Sequence, residues 1–375
     1  MIERSAFALD PDVCFLNNGS FGATPRAVLA AQDRWRSALE SQPVAFLVDR
    51  LPNLLEAALE VLAPPLGASP GEVAFVPNAT TGMEALLRSL RLGPNDVLAV
   101  TDQGYNAVQE LGNALTEQTG CRLAIVPVPF PLTGPDEVLD AVARGWPPGT
   151  TVAVFDHVTS PTGLVFPAAQ LVQLAHERGA LAFVDGAHVP GQVPVHLGDL
   201  GADGWVGNLH KWQYAPKSAA LVHSRRPLLP PVTSHNWKLG LHAAFHWPGT
   251  FDPTPWLAAA DARRWAEAIG IDAIQAWTRA LRAEAVALLC AAWNVAPPAP
   301  DAMLGAMATL PLPFHVEGSR EAAAALRREI WERHRIEVAV VPIAGRCWVR
   351  ISAQIFNRIE DYARLASVMD RTGLR

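Results

Sequence analysis

Leu181-Ala182-Phe183-Val184-Asp185-Gly186-Ala187-His188 is a short apolar run closed by an acid, a glycine and a histidine, and Gly204-Trp205-Val206-Gly207-Asn208-Leu209-His210-Lys211-Trp212 follows it. Each opens as a buried strand reads, with a few apolar residues bounded by turn-formers, and each places polar residues directly behind the run. The same pattern extends to both sides. Strands are expected at 72–76, 96–100, 123–128, 152–156, 181–185, 204–207 and 219–223, with amphipathic helices between them at 82–92, 107–118 and 168–178. Strands alternating with helices point to parallel βαβ units with helices on both sheet faces. The fold class expected is therefore α/β, a mostly parallel seven-stranded sheet in a large domain. In such sheets ligands bind beyond the carboxyl ends of the strands.

Outward from this centre, helices are expected at 26–42 and 51–62. The Pro-, Trp- and His-rich stretch 228–256 reads as a long irregular connection, of the kind that is usually functional or flexible. Helical pattern returns at 257. Strands at 306–310, 337–341 and 348–351, a helix at 321–335 and a last helix at 360–371 describe a small α+β domain. The expected divisions are an N-terminal arm at 1–20, a large domain at 21–256 and a small C-terminal domain at 257–375.

Half of the 375 residues are hydrophobic and 18% are charged, so a large buried core is available. The net charge of −6 argues against a general nucleic-acid binder. Cys14, Cys121, Cys290 and Cys347 show no metal-ligand spacing, which fits a reducing compartment. No signal-length apolar core opens the chain, and the longest apolar runs are too short to cross a bilayer. A cytoplasmic protein with no membrane partner is expected. His242 and His246 stand four apart in a Pro/Trp-rich stretch without a third ligand, so no metal is expected.

Of the 30 basic residues only Lys211, Lys217 and Lys238 are lysines. Lys211, at a strand end, is a candidate Schiff-base former; a surface ion pair is the alternative. Asp185, at the end of a buried strand, demands a positive partner, which a protonated pyridine nitrogen, a metal or an arginine would each supply. Pro77-Asn78-Ala79-Thr80-Thr81-Gly82 joins a strand to a helix and offers free N–H groups for a phosphate, or an ordinary helix cap. Tyr105, after the strand at 96–100, is an aromatic able to cover a planar ring, or a packing residue. Together these are the parts needed to hold pyridoxal 5′-phosphate (PLP).

The order Thr80-Thr81, Tyr105, Ser160, Asp185-Gly186-Ala187-His188, His210-Lys211 resembles the class V aminotransferase family of fold-type I PLP enzymes, in its isopenicillin N epimerase-like branch. Leu16–Gly22, His157–Gly163, Gly249–Pro253 and Trp348–Ser352 with Asn357 extend the resemblance over residues 16–357. It implies that Lys211 carries the cofactor and moves the proton at Cα, that Asp185 pairs with the pyridinium N–H and that Tyr105 stacks on the ring. His188 and Ser160 are implied at the ring's 3-hydroxyl edge, and Thr80, Thr81, Asn208 and His210 at the phosphate. Thr250 is implied to reach the phosphate of a second subunit, in a homodimer with shared sites. Arg350 is implied to clasp the substrate carboxylate, for which its planar fork suits, with Asn18 and Ser20 of the arm beside it.

Two departures stand out: Asn208 occupies a position where many relatives have serine, and Phe251 replaces an arginine common in this branch. The 333–337 region lacks the nucleophilic cysteine of cysteine desulfurases, and Cys347 reads as core. A PLP-binding regulator is disfavoured, since the first 70 residues offer no DNA-binding unit. An epimerase or racemase of an amino-acid-type substrate is the first expectation, a β-eliminating C–S lyase on cysteine conjugates or sulfoxides the second, and an aminotransferase the third.

Overall fold

The computed structural model describes residues 2–369. The chain first extends Cys14–Phe15 (β1), runs through helices Arg26–Ser41 and Leu51–Leu62, and then builds the main sheet. Its strands are Val73–Val76 (β2), Val97–Thr101 (β3), Arg122–Val126 (β4), Thr150–Asp156 (β5), Leu181–Asp185 (β6), Gly204–Asn208 (β7) and Ala220–Ser224 (β8), in the order β2-β8-β7-β6-β5-β3-β4. From β4 to β7 the neighbours are parallel, and β8 is antiparallel to both β7 and β2. Two reversals restore direction, so β2 runs in the same sense as β7. The ends of β2, β3, β5, β6 and β7 therefore open on one sheet edge, where a ligand site is expected in such folds.

The period-2 alternation of a strand explains the two-sided core. On β6, Phe183 joins the apolar cluster of Met83, Leu86 and Val108, while Ala182 and Val184 join that of Leu171 and Val172 on the opposite face. The edge strand β4 is partly exposed, whereas β2, β3 and β7 are buried throughout. The other edge, β2, is covered by helix Leu241–His246, whose His246 Nε2 accepts the Phe75 N–H at 3.1 Å. That helix lies inside the connection expected to be irregular. The helix Pro135–Gly145 was likewise not anticipated.

A second sheet follows, of Met307–Pro311 (β9), Ala339–Ile343 (β11) and Arg346–Ser352 (β12), antiparallel in the order β11-β12-β9. Ile336–Glu337 (β10) pairs instead with β1, which ties the N-terminal arm to the C-terminal part. Helix Arg320–His334 packs on β11, and Ile359–Val368 packs on Ile271–Trp293. Of the helix expected at 360–371, residues 370 and 371 lie outside the described residues. Helix Thr254–Ile269 packs on Arg26–Ser41 and Leu51–Leu62, so a division at 257 falls inside a helix seated on the large domain. No helix among the described residues is long and apolar enough to cross a membrane.

Candidate active site

The β7 strand ends at Asn208 and turns at once into Leu209–Trp212, a single helical turn that leaves Lys211 at the sheet edge. Lys211 Nζ lies 3.1 Å from His188 Nε2. The N-terminal arm closes over the same turn. Asn18 Nδ2 donates to the Lys211 carbonyl at 3.2 Å, and Asn18 Oδ1 accepts the Ala23 N–H at 3.0 Å. Both amide atoms of Asn18 are thus spent on backbone, and its work is to seat the arm. A Cβ on Gly22 would stand 2.0 Å from the Lys211 carbonyl oxygen and 2.5 Å from that of His210. No backbone atom can yield that far, so Gly22→Ala is expected to lift the arm and lower activity at least about tenfold, with a lower melting temperature. Comparing kcat and thermal unfolding of this variant with wild type checks it.

Asp185, at the end of β6, sits directly opposite Asp156 at the end of β5. Both side chains are buried. Asp185 Oδ1 accepts the Ala187 N–H at 2.9 Å. Burial raises both carboxyls above the usual range, and Asp185 raises Asp156 further, because like charges at this spacing cannot both ionise cheaply. Burial also drives Lys211 down to about 8, with the Arg350 charge adding to the fall and Asp185 and Asp156 opposing it. His188 is held well below its usual pKa by burial and then by Lys211, Arg350 and His210; His210 is brought to about 4 by burial and by Lys211. Asp156 escaped the sequence reading, although it closes an apolar strand as Asp185 does.

Arg350 of β12 reaches the same edge. Its guanidinium donates to the carbonyl of Ser160, to Ser20 Oγ at 3.0 Å and to Asn17 Oδ1 at 3.4 Å. Ser20 also donates to Asn17 at 2.7 Å, and Asn17 in turn donates to Glu337 at 3.0 Å. Arg350 Nε is buried without a partner, and burial lowers the guanidinium to about 10. An orphaned N–H of this kind is costly unless a ligand answers it. Asn17 and Glu337 were not among the expected residues, since only the β1–β10 pairing brings them together.

Across the edge, helix Ala79–Ser89 begins. Asn78 Oδ1 accepts the Thr81 N–H at 2.9 Å and the Thr81 hydroxyl at 3.1 Å. Asn208 Oδ1 accepts the Ala79 N–H at 2.9 Å, which ties the end of β7 to the first turn of this helix, where Thr80 and Thr81 are half-exposed. His210 Nδ1 lies 2.9 Å from the Ala219 carbonyl oxygen. Tyr105 stands at the start of helix Asn106–Thr119 with 45% of its surface exposed. Thr250 is exposed on the connection after Leu241–His246, outside this hydrogen-bonded cluster. The groove that this connection lines, about 650 Å³, is shared with Leu47, Val48 and Leu51 and not with Lys211 or Arg350. Among the described residues no hydrogen bond links a thiol to this cluster: Cys14 and Cys347 bond to the Asp361 and Glu317 carbonyls, Cys121 is buried and Cys290 half-buried, and burial pushes Cys14 up to about 12.

A buried amine of lowered pKa, a strand-end carboxylate held for a cationic partner, a helix N-terminus and an unanswered guanidinium N–H fit a planar, phosphorylated, carboxylate-bearing adduct. This fold and site define a PLP-dependent enzyme. The aminotransferase class-V family model matches residues 15–365, and the chain belongs to that family. It is 32% identical to the isopenicillin N epimerase of Streptomyces clavuligerus over 98% of this chain and 96% of that protein. It is 31% identical to a probable chloroplastic L-cysteine desulfhydrase of Arabidopsis thaliana, over 98% and 85%. Among solved structures, the apo cysteine desulfurase of Thermococcus onnurineus NA1 superposes with a TM-score of 0.82 at 18% identity, covering 98% and 96% of the two chains. A C-DES lysine mutant with glycine covalently linked to its PLP cofactor gives 0.81 at 18%, covering 98% and 99%.

Proposed function

We propose that this enzyme is a β-eliminating C–S lyase acting on cysteine or a cysteine conjugate. The observation that carries the reading is that a single buried amine, Lys211, stands at the sheet edge 3.1 Å from His188 Nε2, and burial brings it down to about 8. His188 and His210 are held neutral far below that value, Arg350 stays charged, and the acids share one buried corner. A site with one base suits elimination, in which a proton leaves Cα and a thiolate leaves Cβ. A thiolate, with a parent pKa of about 8.5, departs without a strong acid. Epimerisation, the first expectation from sequence, needs a second proton donor on the opposite face.

In this reading PLP, when bound, supplies the electron sink for the bond broken at Cα. Lys211 takes the Cα proton, and Asp185 holds the counter-charge for the ring nitrogen. Tyr105 covers the ring, and Thr80, Thr81, Asn208 and His210 hold the phosphate. Arg350, with Ser20 beside it, binds the carboxylate and so fixes which Cα bond faces the ring. Ser160 and His188 line the edge between lysine and arginine. Thr250, exposed and apart from its own cluster, is assigned to the site of a partner copy.

The relative from Streptomyces clavuligerus favours epimerisation as a second reading, with the exposed Tyr105 hydroxyl as the opposing acid. The two separate in one experiment. The purified enzyme with L-cysteine or an S-conjugate is expected to release pyruvate, ammonia and the thiol in equal amounts. Deuterium entering Cα in D2O with loss of optical activity, and no pyruvate, would replace lyase by epimerase.

A further inference from the structure

Trp212 follows Lys211 directly and is almost fully buried. Its indole Nε1 donates to His188 Nδ1 at 3.3 Å, while His188 Nε2 faces Lys211 Nζ at 3.1 Å. An indole N–H is only ever a donor, so His188 Nδ1 must present its lone pair. The ring is 2% exposed, so a second proton on it would be a buried charge, made costlier by the Arg350 guanidinium. A neutral imidazole whose Nδ1 is bare carries its proton on Nε2. The contact with Lys211 is then a hydrogen bond from His188 to the lysine nitrogen, which only an uncharged amine can accept.

We infer that Trp212 is a positioning residue: it fixes His188 as the Nε2–H tautomer, and His188 thereby holds Lys211 as the free amine. The amine is the form that attacks the aldehyde carbon of PLP, with water as the leaving molecule, so a side chain with no reach to the substrate controls cofactor capture. Without the indole, His188 can move its proton to Nδ1 and accept from Lys211 instead, which favours the ammonium. Asp185 and Asp156 also face Lys211 and pull it toward the ammonium, and Arg350 opposes them; none of these is altered by the change. The inference concerns the lysine itself and stands whichever reaction follows.

The test uses the full-length enzyme labelled with 15N-histidine, before and after loading with PLP. The His188 signals are identified by their absence in His188→Gln. In wild type, Nδ1 is expected to resonate as an unprotonated nitrogen and Nε2 as a protonated one. A proton on Nδ1 in wild type overturns the inference without recourse to any Trp212 variant. Trp212→Phe is expected to mix the tautomers and to raise the pH midpoint of PLP uptake, followed by visible absorbance, by about one unit, the scale of one lost neutral hydrogen bond. In the His188→Gln background, Trp212→Phe should shift that midpoint no further. An unchanged midpoint and tautomer in Trp212→Phe would also overturn it. Failure of wild type to take up PLP would tell against the cofactor site instead, so the two failures are distinct.

Discussion

Lys211→Ala is expected to abolish the visible absorption of enzyme-bound PLP and to lower turnover by about 10³-fold or more, the range set by removal of a positioned base together with a covalent anchor. The reason is local. Lys217 bonds to the arm through the Gly22 carbonyl and Thr24, and Lys238 lies over the Trp237 ring, so neither stands in for the lost amine. The pH behaviour follows from the same side chain. Burial lowers Lys211 to about 8, so the free-amine fraction, and with it the rate of PLP uptake by wild type, should climb as pH rises and level off above about 8. Stopped-flow absorbance over a pH series checks both. Uptake with an unshifted lysine midpoint near 10, or a Lys211→Ala enzyme that keeps its band, would remove Lys211 from this role.

The core of this arrangement is legible in the chain because a parallel sheet sorts its chemistry by position: whatever follows an apolar run ends up at one edge. Asp185, His188, His210 and Lys211 each stand directly after such a run, and the structure brings them together. Asp156 stands in an equivalent place, yet its importance depends on β5 lying next to β6, and strand order is not a local property. Pairs separated by more than 300 positions are less legible still. Asn17 and Arg350 meet only because β1 pairs with β10 and the arm is thereby drawn across the site. Trp212 reads as one apolar residue among twelve tryptophans until its indole N–H is seen against His188. The helix inside the 228–256 connection was hidden for another reason. Its six residues are too few to show a period, and packing against β2 rather than propensity holds them.

The site's other charged end yields the second large effect. Arg350→Lys keeps a positive charge but cannot reproduce a fork that already holds the Ser160 carbonyl, Ser20 and Asn17 while turning Nε elsewhere. A lysine ammonium in that buried position would satisfy fewer acceptors and leave one side of the arm unbraced. Losing a buried, hydrogen-bonded charge contact costs about 2–5 kcal/mol, which is roughly 30-fold to 5,000-fold in kcat/KM. Bracing and binding are separated by the choice of substrate. If Arg350 binds the carboxylate, wild type should discriminate strongly between L-cysteine and cysteamine, which lacks that group, and Arg350→Lys should lose most of the discrimination by slowing only the reaction of cysteine. If the arginine merely braces the arm and the Ser160 loop, both substrates should decline by the same factor, and the carboxylate role would have to be given to another residue. Because the charge of the same guanidinium also lowers Lys211, Arg350→Gln, which removes it, should raise the pH midpoint of PLP uptake, an effect independent of any substrate, whereas Arg350→Lys, which keeps it, should not. A variant that lost cysteine turnover without that shift would separate the arginine's hold on substrate from its influence on the lysine.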